Sequence, residues 1–336
     1  MIKWLKRIAL GAVAMIVLVV AGGAIYEQFA RARAAKLYPA LGKLVDIGGR
    51  RIQLDCRGAG SPVVVFESGL DGLGSLSWAA VQDDVARITR ACAYSRAGLM
   101  WSDPADRPFS SSGVAEDLHK ALAAAGEKPP YVLVGHSLGG PYAVAFTGRY
   151  RSDVAGLVFV DASHPDQRAR LRAALGKDLD PGEQIRVGAA LAWTGFTRLF
   201  VAVNPTTPAH APAQIAGPAG AFLPTSLDAM LREIENIDAT FSAAGRAQRL
   251  GDLPLFVLTH GAKLPAAILK AQNINAAQAA RLDSTWLELQ NDEATWSSQS
   301  RHMVVADATH YIQFDRPQAV VTAVREVVNE VRAADR

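Results

Sequence analysis

The stretch Tyr131-Val132-Leu133-Val134-Gly135-His136-Ser137-Leu138-Gly139-Gly140 decides the fold. An apolar strand pattern runs directly into Gly-x-Ser-x-Gly, and a helical pattern continues from there to Tyr150. Strand, sharp turn and helix in that order force a serine out of the sheet edge in a strained backbone conformation. Glycines two positions before and after it are required because side chains there would meet across the turn. The helix that follows points its first N–H groups and its positive dipole end at any negative charge developing near the serine. Such a turn is built for nucleophilic catalysis, with Ser137 as the nucleophile.

Outward from this turn the chain alternates. Residues 43–47 and 51–56 are short alternating runs around Gly48-Gly49, a hairpin pattern. Residues 62–67 form a continuous run rich in valine, the mark of a strand buried on both faces. Residues 77–90 read as a helix, 91–95 as a strand, and 114–125 as a helix stopped by Gly126 and Pro129-Pro130. Residues 154–161 are the next strand. Then the rhythm breaks. Residues 162–253 show amphipathic helical stretches and proline-rich turns such as Asn204-Pro205-Thr206-Thr207-Pro208, without a strand pattern. Alternation resumes with a strand over 254–259, a polar helix over 276–299, a strand over 303–306 and a closing helix over 317–333. Repeated strand–helix units predict an α/β fold: a mostly parallel eight-stranded sheet flanked by helices, interrupted by a helical cap. The organisation predicted is a leader over residues 1–36, a core over 37–161 and 254–336, and a cap over 162–253. A long insertion at that position covers a site more often than it serves as a linker.

The chain has 336 residues, of which 50% are apolar and 20% charged, which excludes a disordered or acidic-tail protein. Two cysteines exclude a disulfide-dense miniprotein and a Cys-only zinc site. No phosphate-binding G-x-x-x-x-G-K-[ST] loop occurs. The net charge of +3 suggests a nucleic-acid binder until it is located. Lys3, Lys6, Arg7, Arg31, Arg33 and Lys36 against Glu27 give residues 1–36 a net +5, so the remainder carries −2. The body has no basic footprint for nucleic acid. Residues 8–25 form an uncharged apolar run behind Lys3, Lys6 and Arg7. Its 18 residues exceed a signal-peptide core and reach the short end of a spanning helix. An uncleaved signal anchor ranks first, a cleaved signal peptide second and a buried helix third. Either export reading puts the body outside the cytoplasm, anchored to the membrane or, if the leader is cleaved, secreted.

From residue 43 to 333 the chain resembles the α/β-hydrolase family. The resemblance rests on the Ser137 turn and on three further segments. Ser68-Gly69-Leu70 stands where the family has its His-Gly-x oxyanion turn. Tyr94-Ser95-Arg96-Ala97-Gly98 resembles Tyr-Asp-Arg-x-Gly. Thr309-His310-Tyr311, followed by Phe314-Asp315-Arg316-Pro317, resembles the segment with the catalytic histidine. The departures are Ser68 for the usual His and Ser95 for the usual Asp; neither replaces a group that performs the chemistry. Serine at position 137 sets the chain apart from family branches with an aspartate nucleophile, the epoxide hydrolases and haloalkane dehalogenases.

A serine nucleophile needs an imidazole base. Of the seven histidines, His310 matches the family position after the last strand. His136 adjoins Ser137, but neighbouring side chains at a sharp turn point apart; His164 and His260 follow strands, where local packing or capping is the simpler role. The acid usually follows the strand over 254–259, but no carboxylate occurs there until Asp283. Asp161 ends the preceding strand, where some lipase-like members carry it. It is assigned as the acid, against a turn-capping role. The oxyanion hole is expected from the backbone N–H groups of Leu70 and Leu138. The resemblance implies a serine hydrolase cleaving carboxylic esters, with no metal or organic cofactor, an apolar small-molecule substrate and a membrane contact through the leader. Alternatives are carbon–carbon or amide hydrolysis by the same triad, or a catalytically silent binding domain. Apolar cap residues Leu191, Trp193, Phe196, Leu199, Phe200 and Val201 fit contact with substrate or lipid, with core packing of the cap helices the plainer reading. In the family topology the second strand lies antiparallel beside the fourth. That brings Cys56 near Cys92 and makes a disulfide the expectation in an exported protein.

Overall fold

A computed structural model describes residues 2–178, 182–204 and 207–334. Pro205 and Thr206, in the proline-rich turn, lie outside the described residues. A single helix α1, Ile2–Leu37, precedes the hairpin β1, Lys43–Asp46, and β2, Arg51–Arg57. Then come β3, Val63–Glu67; α2, Gln82–Ala86; β4, Ala91–Tyr94; and α3, Ser111–Ala125. The elbow joins β5, Tyr131–His136, to α4, Gly139–Arg149, and β6 spans Val154–Val160. Five helices follow: α5, Gln167–Leu175; α6, Gly182–Ala192; α7, Phe196–Val203; α8, Ala216–Glu235; and α9, Ile237–Ala247. After them come β7, Leu255–His260; α10, Ala266–Ala271; α11, Ala276–Glu293; and β8, Ser300–Val305. The last helices are α12, Ile312–Asp315, and α13, Pro317–Ala334.

The eight strands form one sheet in the order β1-β2-β4-β3-β5-β6-β7-β8. β1 and β2 are antiparallel, as are β2 and β4; every other pair is parallel. The central strands β3, β4 and β5 are buried along their whole length, which is why they read as unbroken apolar runs. One core cluster joins Leu133, Phe159 and Val257 to Leu122 and Phe146 on α3 and α4. The other joins Phe66, Val134 and Val158 to Val324 and Val328 on α13. Helices therefore cover both faces.

β2 and β4 pair so that Cys56 stands directly opposite Cys92, and the two sulfurs form a disulfide. Two sequence readings change. The helix expected over 77–90 is a 3-10 turn, Gly74–Trp78, followed by the short α2. Trp78 is fully buried and stacks on Phe66 of β3 at 4.8 Å, so packing beneath the sheet breaks the continuous helix. The last strand begins at Ser300 rather than 303, with Arg301 exposed at the sheet edge and bonded to Glu326 of α13.

The insertion α5–α9 packs on loops at the carboxyl ends of the strands. Ser226 Oγ on α8 accepts from Met100 N at 3.0 Å, and Phe241 on α9 packs with Leu138 and Tyr142. α1 is one helix long and apolar enough to cross a membrane by length and composition. Its lower part, past the apolar run, docks on the insertion, where its Glu27 is fully buried.

Candidate active site

Ser137 sits in the elbow at φ +51°, in the left-handed region. The surrounding backbone holds it there. Ser137 N donates to Val160 O at 3.3 Å, and Ser137 O accepts from Gly140 N and Ser163 N at 3.0 and 2.9 Å. A Cβ on Gly135 would fall 2.6 Å from Gly139 O, and one on Gly139 would fall 2.3 Å from Glu67 O. Both contacts are closer than a Cβ tolerates, so the turn closes only with glycine at these positions.

Asp161 follows β6 directly, at φ +48° and fully buried. His310 lies in the loop between β8 and α12 and is partly exposed. Its Nδ1 donates to Asp161 Oδ2 at 2.6 Å. His310 is fixed on two further sides. His136 Nε2 donates to the His310 carbonyl at 2.9 Å. The neighbouring Thr309 is held through its N–H and hydroxyl to Asp315 at 2.7 and 2.6 Å. None of the hydrogen bonds among the described residues joins Ser137 Oγ to the His310 ring. Contacts of this kind commonly tighten only when substrate is bound.

Asp161 accepts four hydrogen bonds. Besides His310 Nδ1 these come from His260 Nδ1 at 2.7 Å, His260 N at 3.0 Å and Trp286 Nε1 at 2.9 Å. Burial alone would raise its pKa, but bonds from His260 and His310 outweigh it and hold the carboxyl well below the ordinary range. It is an anion poised to orient an imidazole. Burial works against a charged His260 too, yet its bond to Asp161 and the charges of Asp161 and Asp283 leave its pKa raised. Asp283, the alternative acid, is exposed on α11 and makes no hydrogen bond to His310 among the described residues. His136 is buried against the His310 and Tyr311 rings, and burial with the His310 charge lowers its pKa to about 3. It is neutral, and since Nε2 donates to a carbonyl, Nδ1 carries no proton.

A model of the family described as alpha/beta hydrolase fold matches residues 62–186, the segment that carries the elbow and Asp161. The chain has the α/β-hydrolase fold. Among solved structures, this hydrolase-fold chain is similar to a thermophilic esterase from Thermogutta terrifontis, at 21% identity and TM-score 0.56 over 84% of this chain and 94% of that one. It is similar also to a haloalkane dehalogenase, DatA, from Agrobacterium tumefaciens, at 18% identity and TM-score 0.59 over 85% and 95%. Among curated proteins it is 27% identical over 167 residues to the uncharacterized protein YbdG of Bacillus subtilis, across 49% of this chain and 51% of that one. The chain spans about half or less of the length of the curated relatives it matches.

The two N–H groups expected to face an oxyanion, on Leu70 and Leu138, have no protein acceptor among the described residues. The turn carrying Leu70 is clamped from behind. Arg96 Nη1 donates to Ser68 O at 2.6 Å and Nη2 to Gly69 O at 2.9 Å. The same guanidinium bonds Glu67 Oε1 at 2.8 Å and both oxygens of Glu233 on α8 at 2.8 Å, and lies 4.8 Å above the Tyr142 ring. One buried arginine thus ties the turn carrying Leu70 to the insertion. Burial pushes Glu67 up to about 7 despite Arg96. Asp71, next to Leu70, accepts from Ser77 Oγ at 2.7 Å and from Leu73 N, and burial pushes its pKa up to about 6. A cavity of 290 Å³ lies beside Arg96 and Glu233 and touches none of Ser137, Asp161 and His310.

Asp161, His260 and His310 also bring three possible metal-ligand atoms within 4.8 Å of one another. Both Nδ1 atoms already bond Asp161 Oδ2, so a cation there would have to break those bonds. The other histidines are engaged elsewhere: His119 with Asp153, His164 with Asp292, His210 with Asp315 and His302 with Thr259. Sequence reasoning brought Ser137, His310 and Asp161 to one sheet edge. It missed His260 on the acid, and it missed Trp286, Arg96 and Glu233. For His260 the signal was present, since it stands at the end of β7, where the family's acid usually follows.

Proposed function

We propose that this chain is a serine hydrolase that cleaves apolar carboxylic esters through an acyl-enzyme. The observation that carries the reading is the 2.6 Å bond from His310 Nδ1 to the buried Asp161, beside a serine held in a strained elbow. In this mechanism Ser137 Oγ attacks the ester carbonyl while His310 Nε2 takes its proton. Asp161 keeps the proton on Nδ1, leaving Nε2 free as base, and stabilises the imidazolium that forms. The N–H groups of Leu70 and Leu138 receive the oxyanion; each such donor contributes about 2.7–4 kcal/mol of transition-state stabilisation. His310 then protonates the departing alcohol, and water activated by the same ring releases the acid. The serine hydroxyl at position 137 supports acyl transfer over reactions that need a carboxylate nucleophile. Helices α5–α9 serve as the cap over this site, and α1 anchors the protein in a membrane with the body outside the cytoplasm.

Initial rates over nitrophenyl esters of increasing acyl length, for the full chain and for Ser137→Ala, test the proposal. Turnover that vanishes in Ser137→Ala is expected. Ester turnover that survives in Ser137→Ala, or none in the native chain, overturns it.

A further inference from the structure

Helix α7 is inside out. Its polar residues face inward: Thr197 Oγ1 donates to Gly188 O on α6 at 2.8 Å, and Arg198 is buried. Its apolar residues other than Val201 face outward. Phe196, Leu199, Phe200 and Val203 are 58%, 57%, 54% and 77% exposed, and Trp193 just before the helix is 55% exposed. A helix bordering water shows the reverse arrangement. A contiguous exposed apolar face of this kind marks a covering partner or a membrane.

The contact between α7 and α1 identifies the cover. The two backbones touch at glycines: a Cβ on Gly23 would fall 2.1 Å from Thr194 O, and one on Gly195 would fall 2.7 Å from Gly23 O. Gly23 lies inside the uncharged run 8–25, about 3 Å along the helix axis from its end. Two residues past that end, Glu27 receives Arg198 Nε and Nη2 at 2.7 and 2.8 Å, and Arg31 Nε at 2.8 Å. This buried ion pair fixes α7 against α1, because parting it would leave uncompensated charge. The start of α7 is therefore held at the level where the apolar run of α1 ends. The run itself, from Ile16 to Val19, is exposed.

We propose that the outer face of α7, with Trp193, is a membrane-docking surface seated in the interfacial layer of the bilayer that α1 enters. Aromatic and aliphatic groups next to a spanning helix suit that layer. The proposal rests on the anchor reading of α1. It gives the inverted polarity of α7 a physical cause: the solvent on that side is lipid.

The test uses the full chain in phosphatidylcholine–phosphatidylglycerol vesicles, with single cysteines carrying the fluorophore NBD at Phe200→Cys, Ile16→Cys and Ser284→Cys. Cys56 and Cys92 are closed in their disulfide, so the introduced thiol is the one labelled. Position 284 is exposed on α11 and reports water. Blue-shifted emission at 200, quenched by nitroxide-bearing lipid as at 16 and unlike 284, is the expected result. A label at 16 that is quenched while 200 behaves like 284 overturns the docking surface and leaves the anchor standing. Labels at 16 and 200 that both escape quenching overturn the anchor reading and the docking surface with it. A blue shift at 200 without lipid quenching means that a second copy covers the face, and also overturns it. Leu199→Cys, on the same face, supplies the same readings if Phe200→Cys does not fold.

Discussion

Replacing Asp161 by Asn removes one acceptor from a buried carboxylate that has four donors pointing at it. The amide has two orientations. If its NH2 replaces Oδ2, it faces the Nδ1 atoms of His310 and His260. His310 must then accept there and carry its proton on Nε2, where it cannot act as a base. If the NH2 replaces Oδ1, it meets the His260 backbone N–H and the Trp286 indole N–H, donor against donor. Either way one arm of the site fails. Loss of the correct tautomer in a triad costs roughly 10³–10⁴ in kcat, or about 4–5.5 kcal/mol at ~1.36 kcal/mol per tenfold. The buried donors left without acceptors cost about 1–3 kcal/mol of stability. The assay is initial-rate hydrolysis of nitrophenyl butyrate by Asp161→Asn beside Asp283→Asn. The expected outcome is a loss of about 10³-fold or more in the first and near-native rates in the second. Asp161→Asn activity within tenfold of native, or a larger loss in Asp283→Asn, would rule out Asp161 as the acid.

Arg96→Lys keeps a charge but cannot bond two carbonyls and two carboxylates at once. It should lower kcat by up to the roughly 10²–10³-fold of a lost oxyanion donor, with little change in KM for a short ester; equal loss in both would point to a different role. The double variant Cys56→Ser/Cys92→Ser opens a loop with sequence separation 36. Thermal unfolding should show about 3–4 kcal/mol less stability. The raised pKa of His260 means that its imidazolium favours the folded state. That stabilisation is full below the ordinary 6.5 and fades as pH rises through the raised value. Melting temperatures measured across neutral to alkaline pH should therefore decline less steeply in His260→Ala than in the native chain.

Much of the fold was legible because buried parallel strands have a strong local signature. β3 and β5 are unbroken apolar runs, and the elbow announces itself by its two glycines at fixed spacing around Ser137 between a strand and a helix. Asp161 was legible by its position after β6 and by the empty stretch after β7. The features missed are long-range. Arg96 meets Glu233 across 137 positions and His260 meets Asp161 across 99, and no periodicity marks such pairs. α7 failed differently. Its amphipathic pattern was visible, but a pattern gives two faces and not which one turns inward; core packing was the plainer reading for the whole set. Val201 alone of Phe196, Leu199, Phe200 and Val201 is buried, because Arg198 and its bond to Glu27 claim the inner side. The helix expected over 77–90 broke because burying Trp78 against Phe66 outweighs helix continuity.

Everything in the proposed mechanism depends on Ser137 being an activated nucleophile. Reaction of the full chain with a fluorophosphonate, followed by mass spectrometry of its peptides, reads this directly. One phosphonate adduct is expected, on Ser137, formed at a rate that collapses in His310→Ala. An unmodified Ser137, or an adduct on another serine with Ser137 intact, would contradict the mechanism.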